Sequence, residues 1–300
     1  MNGNFFKSNW IYLIWCGIYF LFTWLFIGSG STGVIGFISA LLIYGISNLI
    51  ALSPFGEAIL RLINDIRTLD TRKEREYLMP IFEEVYSEAK KLDQNLRQIK
   101  LYIIDTMNLN ACAIGFTTVA VTQGAIKTLT EDELKGIIAH EIGHIAKGHT
   151  IALLLTVIGN GIFTLIMVLS QIVANMITAF MVDLEDNMLM RLMMSVSKNM
   201  FNLSYIMLIY LIQAILAINS RKNEFEADYF AYEIGYGENL LESLYILQEN
   251  SMNRRLSVRD KLLSSHPHIA KRIGRLEAII DREQTGVIPV IPVQRLLTEK

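Results

Sequence analysis

The stretch IIAHEIGHIAKGH (137–149) places three histidines and a glutamate close together in a chain that has five histidines in all. His140 and His144 are four residues apart. On a helix their imidazoles rise from one face, one turn apart, close enough to hold a single ion at about 2.0–2.1 Å from each nitrogen. Glu141 is rotated by one residue toward the rim of that face, where a carboxylate can take a proton from a metal-bound water as general base. Two ligands do not close such a site, so the spacing demands a third, preferably a carboxylate or histidine. SRKNEFEADYFA (220–231) offers one. Glu224 and Asp228 share a helical face, which favours Glu224 as the ligand and Asp228 as acceptor for the other N–H of a ligand histidine. Glu226 points away from both and reads as a solvated helix charge. His149, beyond Gly148 and off the ligand face, reads as a surface or interfacial histidine without a role at the metal.

Helices must carry these groups. Thr130 and Glu133 form a T-x-x-E capping box, and Leu134, Ile137, Ile138 and Ile142 follow at helical spacing. Helical patterns also run through GEAILRLINDIRTLD (56–70), PIFEEVYSEAKKL (80–92) with Pro80 in a first turn, ENLLESLYILQEN (238–250) and HIAKRIGRLEAIID (268–281). IKLYIID (99–105) and TTVAVTQ (117–123) are short and β-branched, as strands are. The fold class expected is α+β, mostly helical. Two prolines make the tail GVIPVIPVQRLL (286–297) an extended edge or loose arm.

With 52% hydrophobic and 19% charged residues and a mean hydropathy of +0.36, the chain is too apolar for an ordinary soluble protein. A net charge of −2 without a dense basic run argues against nucleic acid or an acidic substrate as partner. Cys16 and Cys112 are expected as free thiols. Residues 11–28 and 31–53 are uncharged and near the ~20 residues that cross a bilayer, with Trp10, Trp15 and Trp24 placed for the headgroups. A cleaved signal peptide is the weaker alternative, because a second apolar run follows at once. Residues 151–182 and 201–219 are further apolar runs, dotted with Asn160, Gln171, Asn175, Asn202 and Gln213, which read as helix-facing polar groups. Arg61, Arg67, Arg72, Lys73, Arg75, Arg221 and Lys222 lie on one side of these runs, which predicts cytosolic termini and cytosolic polar segments. The expected organisation is a transmembrane hairpin (1–55), the first part of a catalytic domain (56–150), a second membrane hairpin (151–219) and the remainder of the domain (220–300).

At these residues the chain resembles the HtpX family of membrane zinc metalloproteases, relatives of the CAAX prenyl endopeptidases. NACAIG (110–115), VAVTQGAIKTLTEDELKGIIAHEIGHIAKGH (119–149), SRKNEFEAD (220–228) and SHPHIAKRIGRL (265–276) carry the resemblance, in the family's order. It implies one zinc on His140, His144 and Glu224, Glu141 as general base and Asp228 behind a ligand histidine. It also implies an edge strand at Asn110, Ala111, Cys112 and Ala113 that holds substrate as an added strand. Cys112 stands where the family usually has Phe, and reads as a packed small hydrophobe rather than a ligand. His266 and Arg272 have two readings: oxyanion stabilisation or cleft closure, or only the stop and cap of the final helix.

The expected function is that of a zinc-dependent endopeptidase of the bacterial cytoplasmic membrane. Its expected partners are lipid and misfolded or membrane proteins, in quality control under stress. An intramembrane protease of the site-2 type is disfavoured by Glu131, Asp132, Glu133, Lys135 and Lys147, which set the motif at the membrane surface. A non-catalytic scaffold with structural zinc is disfavoured by Glu141, since a closed site needs no base.

Overall fold

The computed structural model describes residues 33–159, 161–184, 187–196, 222–252 and 269–285, with residues 14, 16–21, 24 and 199. The expectations for 201–219, for His266 and Pro267 and for the tail after 285 lie outside the described residues.

α1 (Gly33–Ala51) is uncharged throughout and buries only Gly36, Ala40, Ser47 and Ala51. These small residues form the face that neighbouring helices approach closely, while Val34, Leu42 and Leu49 point outward. Phe37 stacks edge-on against Phe20 and Trp24 of the preceding apolar run. Ser47 donates a hydrogen bond to the carbonyl of Gly159 in the third apolar run, 151–182. Among the described residues α1 is the one single helix long and apolar enough to cross a membrane.

Ser53 caps α2 (Pro54–Ile63), which starts on Pro54. The helical pattern expected over 56–70 stops short: Asp65 takes a positive φ of 51° and the chain enters a two-residue strand, β1 (Ile66–Arg67). The next helix also differs from expectation. α3 (Arg72–Leu92) starts on a Thr71/Glu74 capping box, which leaves Pro80 in its interior rather than in its first turn. The box fixes the start at Thr71, and burial of Leu78, Ile81, Phe82 and Val85 on either side of Pro80 carries the helix through it despite the backbone hydrogen bond lost there. β2 (Lys100–Ile104), β3 (Ala111–Ile114) and β4 (Thr118–Thr122) complete a sheet of order β1-β2-β4-β3. β4 is buried along its length and pairs parallel to β2 and antiparallel to β3, with Cys112 opposite Ala120. β3 is therefore an edge.

Thr122 caps the short α4 (Gln123–Thr128). α5 (Glu131–Ala146) begins on the Thr130/Glu133 box and is buried almost continuously from Leu134 to Ile145. It is the central helix, packed against β3, β4, α3 and the later helices, so it carries apolar residues on all sides. α6 (His149–Leu154) and a π-helical turn (Leu155–Gly159) bend away from α5 by 68° and lead toward α7 (Gly161–Leu184). The chain then supplies α8 (residues 222–233), α9 (Gly237–Met252) and α10 (Ile269–Thr285). One core unites Leu78 and Val85 of α3, Ile103 and Val121 of the sheet, Ile138 and Ile142 of α5, Phe230 of α8, Leu244 of α9 and Leu276 of α10. The polar segments on either side of the apolar stretch thus share one hydrophobic interior.

Candidate metal centre

α5 presents His140 and His144 one turn apart, with ring centroids 4.7 Å apart. α8 brings Glu224 against both. α5 and α8 approach closely at Gly143, between the two histidines: a Cβ there would lie 3.1 Å from the Ala227 carbonyl oxygen and from Phe230 Cβ. Without a side chain at 143 the two helices approach closely enough for a carboxylate on α8 to reach the imidazoles.

The distances suit one small cation. His140 Nε2 and His144 Nε2 are 3.2 Å apart. Glu224 Oε2 is 3.5 Å from His140 Nε2 and Glu224 Oε1 is 3.5 Å from His144 Nε2. Tetrahedral bonds of 2.0–2.1 Å require neighbouring ligand atoms about 3.3 Å apart, so these side chains need only small adjustments to hold such an ion. Charge agrees with geometry. The buried acids Glu141, Glu224 and Asp228 face the buried cation Arg272, a formal excess of two negative charges that a divalent ion would neutralise.

The surroundings of the two histidines differ. Asp228 Oδ1 is 2.9 Å from His140 Nδ1, leaving Nε2 to face the carboxylate of Glu224. Arg272 forks onto Asp228, with Nε 2.9 Å from Oδ2 and Nη2 2.6 Å from Oδ1, and its Nη1 lies 2.9 Å from Glu224 Oε2. Burial alone would raise the Asp228 carboxyl, but Arg272 and His140 outweigh it and hold it low. Burial and Arg272 pull the His140 imidazole down; Asp228 and Glu224 prevail and push it up to about 9, the mark of a place that favours positive charge. Arg272 thus orients two carboxylates, a role that neither of its sequence readings described.

His149 and Glu226 correct the sequence analysis. His149 is 6% exposed, not a surface residue. Its Nδ1 is 3.0 Å from His144 Nδ1, and its Nε2 is 3.0 Å from Glu226 Oε2. Burial pulls its imidazole down to about 4, which keeps it neutral at ordinary pH. Glu226 is not a solvated charge either: its side chain is 16% exposed and also meets Lys222 at 3.3 Å. Helical spacing missed this contact because α5 does not continue through Gly148, whose φ of 77° starts a new helix and turns His149 back toward His144. The glycine was the available signal.

Glu141 is buried on α5, and its charge is felt by Cys112 on β3. Burial pushes the Cys112 thiol up to about 12, so it stays protonated. Cys16 and Cys112 are both free. Among the described residues the His, Cys, Asp and Glu side chains that gather as a potential metal-binding group are His140, His144 and Glu224. Asn110 is exposed at the start of β3, while Ala111 and Ala113 are buried.

Comparison with known proteins settles the family. The profile of peptidase family M48 matches residues 72–280, more than half of the chain. The chain belongs to peptidase family M48. Among M48 relatives, a protease HtpX homolog of Neisseria meningitidis is 26% identical over 269 residues, covering 84% of this chain and 89% of the relative. A protease HtpX homolog of Desulfotalea psychrophila is 28% identical over 210 residues, covering 65% and 72% respectively. The crystal structure of S. mikatae Ste24p is similar in fold, with a TM-score of 0.52 at 20% identity, over 92% of this chain and 67% of that one. This M48 chain is therefore a metalloprotease.

Proposed function

We propose that the chain is a zinc-dependent endopeptidase anchored by four membrane spans, with its metal on His140, His144 and Glu224. The observation that carries this reading is the convergence of the three side chains from α5 and α8, with Glu141 on the same helix and an edge strand beside it. Two nitrogens and a carboxylate in a tetrahedral arrangement suit zinc, and three protein ligands are the number that catalytic zinc sites use. When bound, the ion would acidify a water and polarise the scissile carbonyl. Glu141 would take the water's proton and return it to the leaving amine. Asp228 holds the ring of His140, and Arg272 holds Asp228 and Glu224. The backbone of Asn110–Ala113 would bind the substrate extended, as a strand added to β3, so that peptides of varied sequence are accepted. That breadth suits misfolded or membrane proteins as substrates, and the apolar face of α1 suits lipid.

Glu141→Gln tests the reading. It should retain zinc and lose hydrolysis of an unfolded protein such as casein; the reading fails if the variant, purified free of host proteases, cleaves at the wild-type rate. For orientation, the Lys and Arg distribution supports a topology with Arg67 in the cytosol and Asp186 outside. A cysteine at 186 should react with an impermeant maleimide on intact cells and one at 67 should not; the reverse pattern overturns the topology.

A further inference from the structure

We propose that His149 and Glu226 form a hydrogen-bonded relay that positions the metal ligand His144, the counterpart of Asp228 and Arg272 behind His140. The inference rests on the metal site proposed above. Nothing in the H-E-x-x-H motif includes either residue.

The hydrogens follow from the geometry. For Nε2 of His144 to offer its lone pair to an ion, the ring's hydrogen must sit on Nδ1. The acceptor within reach is Nδ1 of His149, at 3.0 Å. A neutral His149 that accepts there carries its own hydrogen on Nε2, which donates to Glu226 Oε2, also at 3.0 Å. Each tautomer is thus set by the next group along, and the chain ends on a carboxylate. His149 is 6% exposed and the Glu226 side chain 16% exposed, so water competes little for these bonds.

Such partners fix the ring and raise the donor strength of the ligand nitrogen. The two histidines are served unequally: a carboxylate meets Nδ1 of His140 directly, whereas an imidazole stands between His144 and its carboxylate. Position adds a further consequence. His149 opens α6 where the chain leaves toward the apolar segment, and Glu226 stands on α8 where it returns. The relay therefore ties both flanks of that segment to the metal ligand, and metal affinity should depend on their being held together.

The test is zinc affinity of the full-length chain in detergent, read by competition with a chromophoric chelator, beside the metal-free melting temperature. His149→Ala should bind zinc about 10–100-fold more weakly. His149→Asn, whose amide oxygen can replace Nδ1 as acceptor, should recover most of that loss. Glu226→Gln should lose less than His149→Ala, because its amide oxygen still accepts from His149, and should shift the visible bands of the cobalt(II)-loaded chain. His144→Ala is the control for the site itself and should lose high-affinity binding. If His144→Ala loses zinc while His149→Ala stays within about twofold of wild type, the relay is wrong and the metal site stands. If His144→Ala binds as wild type does, the site reading itself is wrong. A Glu226→Gln chain that melts earlier without metal, yet matches wild type in zinc affinity and cobalt spectrum, overturns the relay in favour of packing alone.

Discussion

Arg272 is 4% exposed, with its guanidinium shared between Asp228 and Glu224. Its planar fork matches the carboxylate of Asp228 in a way that a lysine would not. Arg272→Met should leave two buried carboxylates without their cation, at a cost of about 3–5 kcal/mol. The expected readout is a lower melting temperature together with a site that binds zinc less selectively, since Glu224 is no longer held; an unchanged melting temperature would show that the pair contributes little. At this scale the pairing of His140 with His144 was legible in the sequence, because i,i+4 spacing on one helix is a local property, and Glu224 could be named only as a candidate from a separate stretch. The outer partners of His144 were not, because Glu226 is 77 residues from His149 and no helical wheel relates them.

Among the elements, the approach of α8 to α5 decides whether Glu224 reaches the histidines. Gly143→Ala would favour the isolated helix by about 1 kcal/mol, yet its methyl would press on the Ala227 carbonyl oxygen. The prediction is a small change in melting temperature with a clear loss of zinc affinity, measured by chelator competition. A second element-level contact lies at the start of α3. Arg67 on β1 pairs with Glu74 at 2.7 Å and Asp105 at 2.6 Å, tying the edge of the sheet to the helix. The Arg67 hydrogen bond and the Thr71 backbone N–H hold the Glu74 carboxyl down at about 2, against an ordinary 4.5. Because the folded value is the lower one, the stabilisation is present above pH 4.5 and is lost as pH falls toward 2. Glu74→Gln should therefore melt below wild type near neutrality, with the gap closing as the pH drops through that window. Helices capped by Thr130/Glu133 and by apolar spacing were readable beforehand. The early stop of α2 at Asp65 was not, since the strand that replaces the helix exists only by pairing with β2.

For the whole molecule, metal and fold are linked. An ion that binds only the folded site adds about 2.7 kcal/mol at a hundred times its dissociation constant. Prolonged chelation should therefore lower the melting temperature, and zinc should restore it in proportion to the logarithm of its concentration. No such dependence is expected in His140→Ala. Such a linkage is expected because the candidate ligands come from helices on both sides of the long apolar segment that share one core, so displacing α8 would open site and interior together.

The H-E-x-x-H helix, its capping box, the candidate carboxylate at Glu224, the strands β2 and β4 and the apolar character of the chain were all readable from residue order alone. All of these rest on periodicity and on neighbours within a few residues. It took the folded chain to reveal that Gly143 lets α8 close on α5, that Arg272 clamps two carboxylates, and that Gly148 turns His149 into the space behind His144. Those contacts join residues far apart in the chain. They exist because burial leaves each polar group no partner but the one that folding brings to it.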